Sequence, residues 1–174
     1  MNAAFERDPP RCVADIDWSV WQPVDPATLL FVRHDDRVLL IRKKRGLGAG
    51  KINGPGGRIE PGETPLQAAV REVQEEVGVT PRAITAHGVL DFQFVDGYSL
   101  RVHVFVARDH EGTVRETAEA VPQWTPVDAI PYPQMWADDE LWLPHVMDGA
   151  WVQGRFVFEA DAMLDHVLHV RAER

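Results

Sequence analysis

GRIEPGETPLQAAVREVQEEVGV, residues 57–79, is the stretch on which the reading of this chain turns. Thr64 is a good helix N-cap, Pro65 suits the first helical position, and Thr64 and Gln67 have capping-box spacing. Leu66, Ala69, Val70, Val73 and Val77 form one apolar stripe, and Gly78 is the expected C-terminal stop. This helix puts Glu72, Glu75 and Glu76 on one face, at offsets of 0, 3 and 4. Stacked like charges weaken an isolated helix by about 0.2–0.5 kcal/mol per pair, so helix stability does not require them. A bound hard cation turns the repulsion into coordination, because Mg²⁺ and Mn²⁺ prefer carboxylate oxygens. Glu63 precedes the helix, and Arg71 has the planar donors to hold such a carboxylate in place. Taken alone, a Glu-rich face is most often simply solvated.

The context changes that balance. Seven glycines fall between Gly46 and Gly62, marking loop backbone that needs unusual dihedrals or close approach to a partner. Arg42, Lys43, Lys44 and Arg45 stand before them. Carboxylates, exposed backbone and cations together suit a polyphosphate with its metal. Further out, Thr28–Val32 and Val38–Lys43 read as strands joined by a turn at His34–Arg37. Ile84–Phe94 and Leu100–Ala107 read as two more, turning near Asp96-Gly97. Val121–Trp124 is a short strand candidate, Met135–Met147 an amphipathic helix limited or kinked by Pro144, and Trp151–Phe158 a late strand. Met163–Val170 is ambiguous. Strands around well-capped helices indicate a mixed α/β domain.

With 174 residues and 45% apolar composition, the chain supports one core. A net charge of −9 argues against non-specific binding to nucleic acid or to an anionic membrane surface. The lone Cys12 excludes an internal disulfide and a Cys-rich zinc site. Met1 to Pro10 is polar and no apolar run approaches membrane-helix length, so a soluble, cytoplasmic protein is expected. Residues 1–26 differ from the rest in their prolines, acids, Trp18 and Trp21. They read as an N-terminal extension, either packed through those rings or a flexible tail, before a domain spanning 27–174.

Nine positions of the opening stretch (Gly57, Glu63, Arg71, Glu72, Val73, Glu75, Glu76, Gly78 and Val79) resemble the complete motif of the Nudix hydrolase family. The resemblance implies a Nudix fold, a mixed β-sheet sandwiched between α-helices. It implies hydrolysis of a nucleoside diphosphate linked to another group, with Mg²⁺ as cofactor and Mn²⁺ as the alternative. It assigns metal binding to Gly57, Glu72, Glu75 and Glu76, and an orienting role to Arg71 and Glu63. Beyond the motif, Lys43–Gly50, Asn53–Gly57, Phe92-x-Phe94, Val102–Phe105 and Met135–Trp142 are similar to the 8-oxo-dGTP diphosphatase subfamily of mammalian type. That likeness runs from about Thr28 to Val170 and implies base contacts from Asn53, Trp136, Asp138 and Asp139. It adds Glu119 near the metal, and puts Thr28, Lys43, Leu47 and Phe92 on the substrate side.

The chemistry of these residues fits such a base independently. Trp136 and Phe92 offer flat faces, and Asn53 offers both a donor and an acceptor. Asp138 and Asp139 in one pocket can keep one proton between them at neutral pH. The bland alternative for that pair is an acidic first turn of a helix. Leu47, Ile52 and Pro55 depart from the subfamily pattern near the expected nucleoside pocket, so the resemblance does not fix base and sugar selectivity. His103, His166 and His169 read as ordinary residues, and Trp124 and Trp151 as core. The expected reaction is hydrolysis of an oxidised purine nucleoside triphosphate to monophosphate and pyrophosphate, sanitising the nucleotide pool. Glu76 is the expected general base, with Glu119 the alternate. Other Nudix substrates (ADP-ribose, dinucleoside polyphosphates, RNA 5′ ends) and a non-catalytic nucleotide-binding domain are the competing readings. The only partner expected is a small nucleotide, bound by a monomer without nucleic acid or membrane.

Overall fold

In the computed structural model, residues 8–172 are described. The strands are β1 (Asp25–His34), β2 (Arg37–Lys43), β3 (Ile52–Asn53), β4 (Gly56–Arg58), β5 (Thr80–Phe94), β6 (Ser99–Glu111), β7 (Ala120–Pro126), β8 (Trp151–Glu159) and β9 (Ala162–Arg171). The helices are α1 (Pro65–Val77) and α2 (Asp139–Met147). The sheet runs β3-β2-β1-β6-β5-β8-β9, with β4 on β1 and β7 on β2. It is mixed, because β1 and β6, and β5 and β8, pair in parallel. β1 changes partner along its length. Ala27, Thr28 and Leu29 face β4, whereas Arg33 and His34 face β2.

Strand alternation assigns the two faces. Phe31 joins Val104, Phe156 and Trp142 in the core against α2, while Leu30 and Val32 join Ala69, Val73 and Val77 in the core under α1. The sheet therefore lies between two helices, as the Nudix resemblance implied. α1 keeps its expected caps: the Thr64 hydroxyl accepts the Gln67 N–H, the Gln67 side chain accepts the Thr64 N–H, and Gly78 is left-handed at φ 78°. Among the described residues, no helix is long and apolar enough to cross a membrane.

Several expectations are corrected. Leu66 does not belong to the buried stripe; it is 45% exposed, and burial on α1 begins at Ala68. α2 begins at Asp139 rather than Met135, because a 3-10 turn over Tyr132–Gln134 ends with Met135 extended, at ψ 178°. Met135 is thereby buried. The helix runs through Pro144 to Met147. Trp124 packs half-buried against the α1-side core as expected, but Trp151 is half-buried and outside both cores; Trp142 is the fully buried tryptophan, edge-on to Phe31 at 6.0 Å. The ambiguous Met163–Val170 segment is strand, antiparallel to β8. Of the extension, residues 1–7 lie outside the described part, as do 173 and 174 at the other end. Residues 8–24 lie on the sheet: Val13 is buried, and its N–H donates to Asp165 at 2.8 Å.

Candidate active site

The Glu-rich face of α1 is not uniformly solvated: Glu75 is exposed, but Glu72 and Glu76 turn inward. Glu76 is 3% exposed, and its Oε1 accepts the Gly56 N–H at 2.9 Å. Burial pushes its carboxyl up to about 8; the Gly56 N–H opposes this and the charges of Glu72 and Glu119 add to it. Glu72 is also raised, first by burial. Arg71 clamps Glu63 with two hydrogen bonds, of 2.6 and 2.9 Å, and reaches Glu72 at 2.9 Å and Glu75 at 3.4 Å. The guanidinium, followed by the Glu60 N–H, holds Glu63 down to about 2. Glu63 stays charged and fixes Arg71, and Arg71 aims Glu72.

The structure thus brings Glu72 and Glu76 together, with Glu119 close enough to raise both. Arg45 engages Glu119 at 2.7 Å, and Glu75 is half-exposed on the edge of the cluster. Among the described residues, no three His, Cys, Asp or Glu side chains are already gathered as metal ligands. The donor chemistry nevertheless fits a hard divalent cation. Hard oxygens resist ionisation in a partly dry site, and a cation relieves that resistance. Gly57 is packed against this cluster: a Cβ there would lie 2.5 Å from the Glu72 carboxylate.

A cavity of about 450 Å³ opens beside the carboxylates. All eight residues expected on the substrate side line it: Thr28 from β1, Lys43 from β2, Leu47 from the glycine loop, Asn53 from β3, Phe92 from β5, and Trp136, Asp138 and Asp139 at the start of α2. Gly56 and Gly57 line it too, so the cavity reaches the carboxylate cluster. Asp138 and Asp139 are each 2% exposed. Asp138 makes no side-chain cap to α2 but accepts the Trp142 indole N–H at 2.7 Å. Burial pushes Asp138 up to about 6. Asp139 is raised well above its ordinary value by burial and then by Asp138. Asp139 Oδ2 and Thr28 Oγ1 are buried without a hydrogen-bond partner. Trp136 is boxed in by Phe94 and Phe158, edge-on, with the Lys51 ammonium 5.2 Å from its ring centre. Gly48 is left-handed at φ 77°, and a Cβ there would meet the Trp136 indole nitrogen at 2.8 Å.

Of the four cations before the glycine loop, only Lys43 faces the cavity; its ammonium donates to Leu47 O at 3.0 Å. Arg42, Lys44 and Arg45 bond to Gly50 and Gln134, to Glu116 and Thr117, and to Glu119. Of the three departures from the subfamily, only Leu47 lines the cavity. Ile52 is buried in the α2-side core, and buried Pro55 accepts the Leu30 N–H, so neither sits at the pocket wall. His103 is half-buried with a lowered pKa, chiefly from desolvation, and His166 and His169 are exposed on β9. Sequence reasoning missed Asp25, Arg58, Tyr98, Leu100 and Phe158 as cavity walls. Alternation from Phe92 signals Phe94 and Phe158 only through strand pairing, and nothing local signals Asp25 or Tyr98.

Residues 23–146 match the NUDIX domain family. The chain is 45% identical over 143 residues to an oxidized purine nucleoside triphosphate hydrolase of Danio rerio, covering 81% of this chain and 92% of that protein. It is 40% identical, with the same coverage, to the Mus musculus protein of that name. Among solved structures it is similar to a MutT protein from Bacillus halodurans, with TM-score 0.76 and 28% identity, covering 83% of this chain and 97% of the other.

Proposed function

The chain belongs to the Nudix family, and from that premise we propose that it hydrolyses oxidised purine nucleoside triphosphates of the 8-oxo-dGTP type to monophosphate and pyrophosphate. The observation that carries this is the single cavity that has Asp138, Asp139 and Asn53 on its wall and Gly56-Gly57, beside Glu72 and Glu76, at its margin.

Trp136 and Phe92 give the purine flat apolar contact. Asp138 and Asp139, both raised, share protons at neutral pH. The protonated carboxyl donates to a base carbonyl, and the ionised one accepts from a ring N–H. Oxidation at C8 turns N7 of guanine from acceptor into donor, so this pair can tell the two bases apart. Lys43 meets the phosphate end. Glu72 and Glu76, with Gly57, Glu75 and Glu119 around them, would hold a divalent cation, which we take to be Mg²⁺ with Mn²⁺ as alternative. Such an ion neutralises phosphate charge and lowers the pKa of water. Glu76 is the proposed acceptor of the attacking water's proton, with Glu119 as the alternate base; a bound cation would offset the burial that raises Glu76 and leave it ionised for that role. We take the protein to act as a monomer on free cytoplasmic nucleotides.

The test is steady-state hydrolysis of 8-oxo-dGTP, 2-oxo-dATP, dGTP, ADP-ribose and diadenosine tetraphosphate, with Mg²⁺ and with chelator, identifying products. The expected result is a kcat/KM for an oxidised purine at least ~10²-fold above dGTP, about 2.7 kcal/mol of discrimination. Equal rates, or preference for ADP-ribose or the dinucleotide, would refute the substrate assignment.

A further inference from the structure

We infer that residues 18–25 form a strap that positions one wall of the cavity, largely from the opposite face of the sheet, and so tunes its affinity for substrate. The inference rests on the cavity being the substrate pocket. The tip of the β5–β6 hairpin supplies Phe92, Phe94, Tyr98 and Leu100 to the cavity wall. Asp91, Gln93 and Arg101 alternate with those residues and face the other way. The strap lies on that reverse face. The guanidinium of Arg101 sits 5.6 Å from the Trp21 ring, and that of Arg155 sits 4.9 Å from Trp18. Trp18 and Trp21 touch each other at 5.1 Å.

Three hydrogen bonds tie the strap to the hairpin tip. Trp21 Nε1 donates to Gln93 Oε1 at 2.8 Å. That fixes the Gln93 amide, whose Nε2 donates to the carbonyls of Phe94 and Tyr98 at 3.0 and 3.2 Å, closing the turn from within. The Val24 N–H donates to Ser99 Oγ at 2.9 Å, and Ser99 is buried. The Tyr98 hydroxyl donates to Asp25 Oδ2 at 2.8 Å, inside the cavity wall. The strap therefore grips residues 93, 98 and 99, on both sides of the tip. β8 supports the β5 side of the tip as far as Phe94, but β1 pairs with β6 only from Leu100 on, so without the strap Tyr98 and Ser99 lead unsupported into the glycine turn at Gly97, φ 98°. Trp21 touches no substrate and acts as a positioning residue; Tyr98 and Phe94 are the walls it positions.

The test uses the full chain with Trp21→Phe, which keeps the ring and removes one donor, Tyr98→Phe, and the double variant. KM and kcat are measured for 8-oxo-dGTP and dGTP, with the thermal midpoint alongside. Trp21→Phe is expected to raise KM about fivefold to tenfold, the scale of one net hydrogen bond, with kcat within about twofold. The double variant should raise KM by less than the product of the two singles, because both act through one hairpin tip. Ser99→Ala, which removes the acceptor for Val24, should shift KM in the same direction and serves if Trp21→Phe folds poorly. A lowered thermal midpoint with unchanged KM, or strictly multiplicative effects, would overturn the inference. If the wild type shows no preference for 8-oxo-dGTP, the substrate assignment alone fails. The same variants are then read on the panel nucleotide with the highest kcat/KM.

Discussion

Gly57→Ala separates the geometry of the carboxylate cluster from the stability of the fold. A Cβ at this position would lie 2.5 Å from Glu72 Cδ, 2.5 Å from Oε1 and 2.7 Å from Oε2. Ordinary contact begins at 3.4 Å, so the carboxylate must retreat by about 1 Å. It is the end of a flexible side chain and can do so, at an expected cost of about 0.5–1.5 kcal/mol for a displaced rotamer. Retreat also pulls Glu72 from Arg71, now 2.9 Å away. A misplacement of about 1 Å in a reacting constellation lowers rate by about 10²-fold. Gly56→Ala is the control: its Cβ would sit 1.9 Å from the Thr28 carbonyl oxygen, which is backbone and cannot step aside. That change breaks the pairing of β4 with β1. The assay is Mg²⁺-dependent hydrolysis of 8-oxo-dGTP with urea unfolding on the same samples. Gly57→Ala should lose about 10²-fold in kcat/KM with stability within about 1.5 kcal/mol of wild type. Gly56→Ala should fail to fold. Wild-type turnover in Gly57→Ala, or unfolding as complete as in Gly56→Ala, would refute the reasoning.

Glu76→Gln keeps an oxygen for the Gly56 N–H but removes the base, and should cut turnover by at least ~10². Because Glu76 is pushed up to about 8, the wild type loses stability as pH rises from the ordinary carboxylate range towards 8. Metal-free Glu76→Gln should therefore be the more stable protein at pH 8, with the gap closing near pH 4 in urea titrations. Asp139 is likewise raised, and Asp139→Asn should flatten the fall of thermal midpoint with rising pH. The same variant should lose at least ~10-fold of the preference for 8-oxo-dGTP over dGTP; an unchanged preference would remove Asp139 from base recognition. Trp142→Ala empties the centre of the α2-side core and leaves Asp138 without its indole donor, so a loss of about 3–5 kcal/mol is expected in chemical unfolding.

What could be read from the chain follows the range of the forces involved. α1 was legible to its caps because Thr64, Pro65, Gln67 and Gly78 act within one turn. The β1–β2 and β5–β6 hairpins were legible because alternation and turn residues are local. Leu66 misled because periodicity reports a helix face, not how far the sheet extends beneath it. α2 misled because Met135 and Trp136 are apolar at helical spacing, yet one is buried and the other lines the cavity from non-helical backbone. The Tyr98–Asp25 and Trp21–Gln93 bonds span 73 and 72 residues, and no local pattern marks such pairs. The eight residues that line the cavity were picked out through family resemblance; composition and spacing alone did not separate Asp138 and Asp139 from an ordinary acidic helix start.

Asp138 and Asp139 do stand at the acidic start of α2, and the bonds they make there bear on the second reading. An acid that serves the helix terminus caps a free N–H, and Asp138 does not; it turns inward to an indole beside a cavity. Glu76 follows the same logic on the other helix. With Ala69 and Val73 it occupies the i, i+4, i+7 line of the buried stripe, where an apolar side chain would stabilise the fold more. Each buried acid opposes folding, and the two lie on opposite sides of one sheet. They come to one cavity because β1 pairs with β4 through Leu29 and with β2 only from Arg33. In that parting the cavity under α2 reaches Gly56, and Gly56 reaches Glu76.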